Sequence, residues 1–195
     1  INAYYNPTAN EIVFPAAILQ DPFYKYGASK AKNYGGIGAV IGHEISHGFD
    51  DQGSKFDEKG NLNNWWTAED EKNYKQKTEA LAKQYSSYTV GNENINGNLT
   101  LGENIADLGG VTVVLEITER EAPNDLKEFF QSYAVIWRNL VTKERASHLI
   151  KIDPHSPGRY RVNGVLTNLD EFYKIYNIQE NDKMYIKPED RIRIW

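Results

Sequence analysis

His43, Glu44 and His47 form the pattern His-Glu-x-x-His. On a helix, at about 100° per residue, the two histidines lie one turn and about 40° apart, so both imidazoles can reach one metal ion while Glu44 sits at the edge of that face. Val40 and Asp50 fall on the same side. Ile41, Ile45 and Phe49 fall on the other, which predicts an apolar face to be buried behind the chemical one. The competing reading of the pattern is a helix face with two ordinary hydrogen-bonded histidines, and a third ligand is what separates the two.

Hydrolytic zinc takes three protein ligands and keeps a fourth position for water. A metzincin arrangement would need glycine and histidine three and six residues after His47, where the chain has Asp50 and Gly53. The remaining common arrangement is a glutamate on a second helix with an aspartate one turn later to hold a ligand histidine. Glu-x-x-x-Asp occurs twice, as Glu103 to Asp107 and as Glu121 to Asp125. Pro123 interrupts the second and would break the turn that aligns its carboxylates. Glu103 therefore stands as the third candidate ligand. Thr100 to Glu103 also reads as a capping box opening the same helix.

Taken together, Asn2 to Tyr5 (NAYY), the block Gly36 to Asp51, Gly102 to Asp107 (GENIAD) with Gly109 and Gly110, His155-Ser-Pro-Gly158 with Arg161, and the terminal Trp195 resemble the neprilysin family of zinc metallopeptidases. The resemblance runs over essentially the whole chain. It implies an α+β, mainly helical, thermolysin-like zincin catalytic domain with a small β-hairpin near the N-terminus. Members of that family are several times longer and cover this domain with a helical one, so residues 1–195 are expected to be the C-terminal catalytic fragment of a longer protein, with the N-terminal helical domain as its missing partner.

The resemblance also assigns roles. One zinc ion per chain would be held by His43, His47 and Glu103, with its bound water activated towards pKa ~7. Glu44 would be the general base that becomes a general acid. His155 would stabilise the developing oxyanion beside the metal, a role typically worth about 3 to 4 kcal/mol of barrier. Asp107 and Asp50 are candidates to accept a proton from a ligand imidazole and fix its tautomer, and the resemblance favours Asp107. Arg161 would bind a substrate carbonyl, and Asn2 and Ala3 would pair with the peptide as an added strand. The expected activity is hydrolysis of oligopeptides on the amino side of large hydrophobic residues. The alternatives are a zinc- and peptide-binding fragment without turnover, and a purely structural helix pair without stoichiometric zinc.

Composition fits part of such an enzyme. The chain of 195 residues is 40% hydrophobic, enough for one substantial core and most simply one domain. A net charge of -5 argues against nucleic acid as a partner. No run of 18 apolar residues and no signal peptide is present, although a chain that starts mid-protein could have lost either. With no cysteine there is neither a disulfide framework nor a thiolate ligand. Ile192 stands where the family's disulfide-bonded animal members have a cysteine before the last tryptophan. A bacterial source, cytoplasmic or exported without disulfides, is expected.

The positioning elements follow from pattern. Asn2 to Tyr5 and Glu11 to Phe14 read as a hairpin around Asn6 to Asn10. Asn33 is a candidate cap for the site helix, and the glycines at 35, 36, 38 and 42 should weaken that helix by up to about 1 kcal/mol each unless close packing or metal binding offsets them. Asp51 to Trp66 reads as a loop. Thr67 should open a helix whose buried stripe is Tyr74, Thr78, Leu81 and Tyr85. The Glu103 helix should run to about Arg120. Asn124 or Asp125 should cap a helix with the stripe Phe129, Phe130, Tyr133, Ile136, Trp137 and Leu140. A short helix is expected over residues 142–150, where His148 has no motif around it. His155 lies in a loop enforced by Pro154, Pro157 and Gly158. A last short helix over 168–177 and an irregular tail complete the chain.

Overall fold

A computed structural model describes all 195 residues and is mainly helical with two small hairpins. In chain order the elements are β1 (Tyr4–Asn6), β2 (Glu11–Val13), α1 (Lys30–Asn33), α2 (Ala39–Ser46), α3 (Ala68–Ser86), β3 (Thr89–Val90), β4 (Glu93–Asn94), α4 (Leu101–Glu121), α5 (Leu126–Ile136), α6 (Lys143–Ile152), α7 (Gly158–Leu166) and α8 (Asp170–Tyr176). They form two compact units interleaved along the chain, residues 1–65 with 106–136, and residues 66–105 with 137–195. Helix α4 contributes its opening residues to the second unit and the rest to the first. No helix is long and apolar enough to cross a membrane.

In the first unit, β1 and β2 pair antiparallel with Tyr5 opposite Ile12. The strand begins at Tyr4, so Asn2 and Ala3 precede the paired segment, with Ala3 buried and Asn2 exposed. The site helix is built in three pieces. Ser29, whose hydroxyl accepts from the Lys32 N–H, caps α1. A π-helical turn over Tyr34–Gly38 follows, and α2 continues from it. Asn33 is thus no cap but lies inside the helical run, its side chain bonded both ways to the Lys25 backbone.

The glycines explain how that run survives its own propensity. A Cβ on Gly35 would lie 2.2 Å from the Phe129 carbonyl oxygen of α5, and one on Gly42 2.6 Å from the Gly110 oxygen of α4. Backbones meet directly at both places. This small-residue face is the buried one, and it corrects the expectation for Ile41, Ile45 and Phe49, which are exposed, Ile45 by 50%. Ile45 and Phe49 instead line a cavity of 400 Å³ together with Tyr5, Ile12, Phe56 and Trp65. The core of the unit comes from α4 and α5, where Leu108, Val111, Leu115, Phe129, Phe130 and Tyr133 are buried. Helix α5 ends at Ile136, which leaves Leu140 outside the stripe and fully exposed.

In the second unit, the Thr67 hydroxyl accepts from the Asp70 N–H and caps α3, which buries Thr78, Leu81 and Tyr85. Gly164 of α7 sits against Tyr85, where a Cβ would lie 2.7 Å from the ring. The Tyr85 hydroxyl donates to the Tyr160 carbonyl, and Gln84 donates to that of Gly164. Thr142 caps α6 by accepting from the Arg145 N–H. The tail is irregular but anchored. Arg191 lies 3.4 Å over the Tyr173 ring and pairs with Asp170, as does Arg193, while Ile194 is buried.

Candidate metal centre

The first unit gathers His43, Glu44, His47, Asp50 and Asp107. His43 Nδ1 lies 2.7 Å from Asp107 Oδ1, and His47 Nδ1 lies 2.7 Å from Asp50 Oδ2. An ionised carboxylate can only accept, so each Nδ1 donates. The other nitrogen of each ring then presents a lone pair, and these two Nε2 atoms converge at 2.9 Å with the rings edge to face. Two lone pairs aimed at one point call for a cation. The ligand atoms of His43, Glu44 and His47 all lie within 4.8 Å of one another. His43 and Glu44 are buried, at 7% and 5% exposure. Paired imidazoles with carboxylates behind them are the donor set that zinc takes in proteins.

Asp50 does more than hold His47. Its Oδ1 accepts from the backbone N–H groups of Gln52 and Gly53, which turns the chain away from the helix end. Gly53 is required there, because a Cβ would fall 1.8 Å from the His47 carbonyl oxygen. The next carboxyl, Asp51, is pushed above its usual range, first by burial and also by the Asp50 charge. Burial and Asp50 likewise raise the Tyr5 phenol.

The second unit gathers Glu103, His155 and Arg161. His155 Nε2 lies 3.3 Å and Arg161 Nη2 3.5 Å from Glu103 Oε2. Arg161, far from being a surface charge, is 6% exposed and stacks 3.8 Å over the Trp137 ring. His155 Nδ1 bonds Asp153 Oδ1 at 2.8 Å, and the same oxygen accepts the His155 backbone N–H at 2.9 Å. Burial pushes the Asp153 carboxyl up, but these two bonds and the His155 charge outweigh it and hold it below its usual value. Sequence reasoning passes over Asp153 and Trp137 as parts of the site. Asp153 carries a signal, since an aspartate two residues before a loop histidine is placed to bond that residue's N–H. Trp137 carries none beyond its place in an apolar stripe.

Glu103 and Asp107 share α4, four residues and so about one turn apart on one face. Thr100, at the start of that helix, receives the Asn104 side-chain amide on its hydroxyl at 2.9 Å. Asn2 is exposed beside the hairpin, and His148 is exposed on α6.

Fold and site together define a protein of the His-Glu-x-x-His peptidase class, with His43 and Glu44 on α2 and His47 at its C-cap. A profile of Peptidase family M13 matches residues 2–192, and the chain belongs to that family, the neprilysin family. It is 47% identical over 195 residues to the neutral endopeptidase of Lactococcus lactis subsp. lactis (strain IL1403), covering all of this chain and 31% of that protein. It is 42% identical over 208 residues to endothelin-converting enzyme 1 of Homo sapiens, covering 100% of this chain and 27% of that protein. The crystal structure of Mycobacterium tuberculosis zinc metalloprotease ZMP1 in complex with inhibitor superposes with a TM-score of 0.96 at 44% identity, over 100% of this chain and 32% of that one. The chain thus spans about a third of the length of the relatives it matches.

Proposed function

We propose that residues 1–195 are the C-terminal catalytic domain of a zinc-dependent endopeptidase that hydrolyses oligopeptides on the amino side of large hydrophobic residues. The observation that carries this reading is the convergence of the His43 and His47 Nε2 atoms at 2.9 Å, with each Nδ1 committed to a carboxylate. Family membership and the names of the relatives support it.

One zinc ion is held by His43, His47 and Glu103 in this reading. Glu103 precedes Asp107 by one turn, so the helix that orients one imidazole also carries the third ligand. When bound, zinc supplies a Lewis acid that makes water a usable nucleophile near neutral pH. Glu44 takes the proton of the attacking water and hands it to the leaving amine. Its burial keeps that carboxylate out of bulk water. As the imidazolium, which carries a proton on each ring nitrogen, His155 would be steadied through Nδ1 by Asp153 and donate from Nε2 to the developing oxyanion. Arg161 donates to a carbonyl of the peptide backbone from its stacked position on Trp137. The backbone of Asn2 and Ala3, just ahead of β1, pairs with the substrate as an added strand. In the parent protein a helical domain, N-terminal to this one, covers the site.

A second reading is a zinc- and peptide-binding piece that turns nothing over by itself, and it is favoured by the chain's 31% share of a relative's length. Zinc content and hydrolysis of a short peptide, measured on wild type and Glu44→Gln, separate the two. Equimolar zinc in both proteins with turnover in wild type alone supports the endopeptidase. Equimolar zinc with no turnover in either supports the binding piece, and the absence of stoichiometric zinc contradicts both.

A further inference from the structure

Next to Glu103 and His155 in sequence are two residues with no assigned part in the chemistry, Asn104 and Ser156. Both are buried, Asn104 completely. The Ser156 hydroxyl donates to Asn104 Oδ1 at 2.8 Å, Asn104 Nδ2 donates to the Thr100 hydroxyl at 2.9 Å, and that hydroxyl donates to the Asn96 carbonyl at 3.3 Å. Donors and acceptors alternate in one direction along the chain and end on a backbone oxygen. Turning the Asn104 amide over would set its NH₂ against the Ser156 hydroxyl and take Thr100 from Asn96, so the network itself fixes the amide.

Consecutive residues point opposite ways at both ends of this link. On α4, Glu103 is half-buried and faces His155 and Arg161, while Asn104 turns inward. In the loop, His155 is exposed and Ser156 is buried. The bond from His155 to Asp153 lies within the loop and travels with it. The bond from Ser156 to Asn104 ties the loop to the helix. We infer that Ser156 and Asn104 are positioning residues, a buried clamp that sets His155 against Glu103 and so registers the oxyanion donor on the metal ligand. This rests on the hydrolytic reading for its consequence but not for its geometry.

Two measurements on the zinc-loaded full chain test it, using Ser156→Ala, which removes the hydroxyl, and Ser156→Thr, which keeps it. In peptide hydrolysis, Ser156→Ala should lower kcat by about 10- to 100-fold, the scale of a misplacement near 1 Å, with KM and zinc content nearly unchanged, and Ser156→Thr should recover most of the loss. Imidazole NMR, with His155 identified by its loss in His155→Gln, needs no turnover. The His155 ring signals should shift and broaden in Ser156→Ala and return in Ser156→Thr, while those of His43 and His47 hold still. Unmoved His155 signals in Ser156→Ala overturn the clamp even if the chain hydrolyses peptide. Moved signals in a chain without hydrolysis uphold the clamp and reject the hydrolytic reading instead.

Discussion

The Asp107 carboxylate of α4 accepts the Nδ1 proton of His43 on α2 at 2.7 Å, and neither side chain is open to solvent. That bond selects the tautomer whose Nε2 carries the lone pair that a metal would take, and it raises the basicity of that nitrogen. Asp107→Ala should weaken zinc binding by about 10- to 100-fold. Competition against a chromophoric chelator measures this, and an unchanged affinity would show that His43 needs no such partner.

Gly42 and Gly110 bring α2 and α4 into backbone contact, and a Cβ on Gly42 would stand 2.9 Å from the Gly110 Cα. Helix propensity alone favours alanine over glycine by about 1 kcal/mol. Packing predicts the opposite sign, because the two helices must separate. Gly42→Ala should destabilise the protein by about 1–3 kcal/mol in denaturant unfolding, and a gain in stability would contradict the close approach.

Arg161 stacks on Trp137 while reaching Glu103, a pairing that suits a planar guanidinium and not an ammonium. Arg161→Lys keeps the charge and loses the stack. Peptide KM should rise by about tenfold, equivalent to about 1.4 kcal/mol, with zinc content unchanged. Steady-state kinetics beside a metal assay reads both quantities, and an unaltered KM would remove Arg161 from substrate binding.

Asp170 holds the tail through Arg191 at 2.6 Å, and that bond, with the charges of Arg193 and Arg191, keeps its carboxyl below the usual value despite partial burial. A carboxyl lowered on folding stabilises the native state above its unfolded pKa of ~3.9 and loses that contribution as pH falls through the lower folded value. Asp170→Asn should therefore melt about 2 °C below wild type at pH 7, as suits an ion pair worth up to about 1 kcal/mol. The gap should close in acid. Thermal melts across pH 2–7 check it, and a gap that persists at the acid end would contradict the assignment.

The local framework of the candidate site is legible in the amino-acid sequence, because its parts are set by short-range rules. The spacing of His43 and His47 puts two rings on one face, Thr67 announces α3, and Glu103 with Asp107 stands out as a pair one turn apart. What stays hidden depends on neighbours distant in sequence. A helical wheel sorts Ile41, Ile45 and Phe49 by polarity, yet it cannot register that the glycine face admits another backbone and so takes the buried side. The π turn before α2 goes unread because Gly35 and Gly36 answer to the carbonyls of Phe129 and Phe23, far off in the chain or beyond a loop. Asn104 has no periodic signal, since a buried polar residue in a helix means something only once Ser156 is seen opposite it. The interleaving of the two units escapes detection because α4 passes from one to the other without a composition change.

Zinc K-edge anomalous diffraction from crystals of the zinc-loaded chain would locate the metal and read the proposed His43, His47 and Glu103 ligand set without recourse to activity. A single strong peak is expected within about 2.0 to 2.2 Å of the Nε2 atoms of His43 and His47 and of a Glu103 carboxylate oxygen. A peak that leaves the Glu103 side chain out of reach, or no peak between the two imidazoles, would contradict that ligand set.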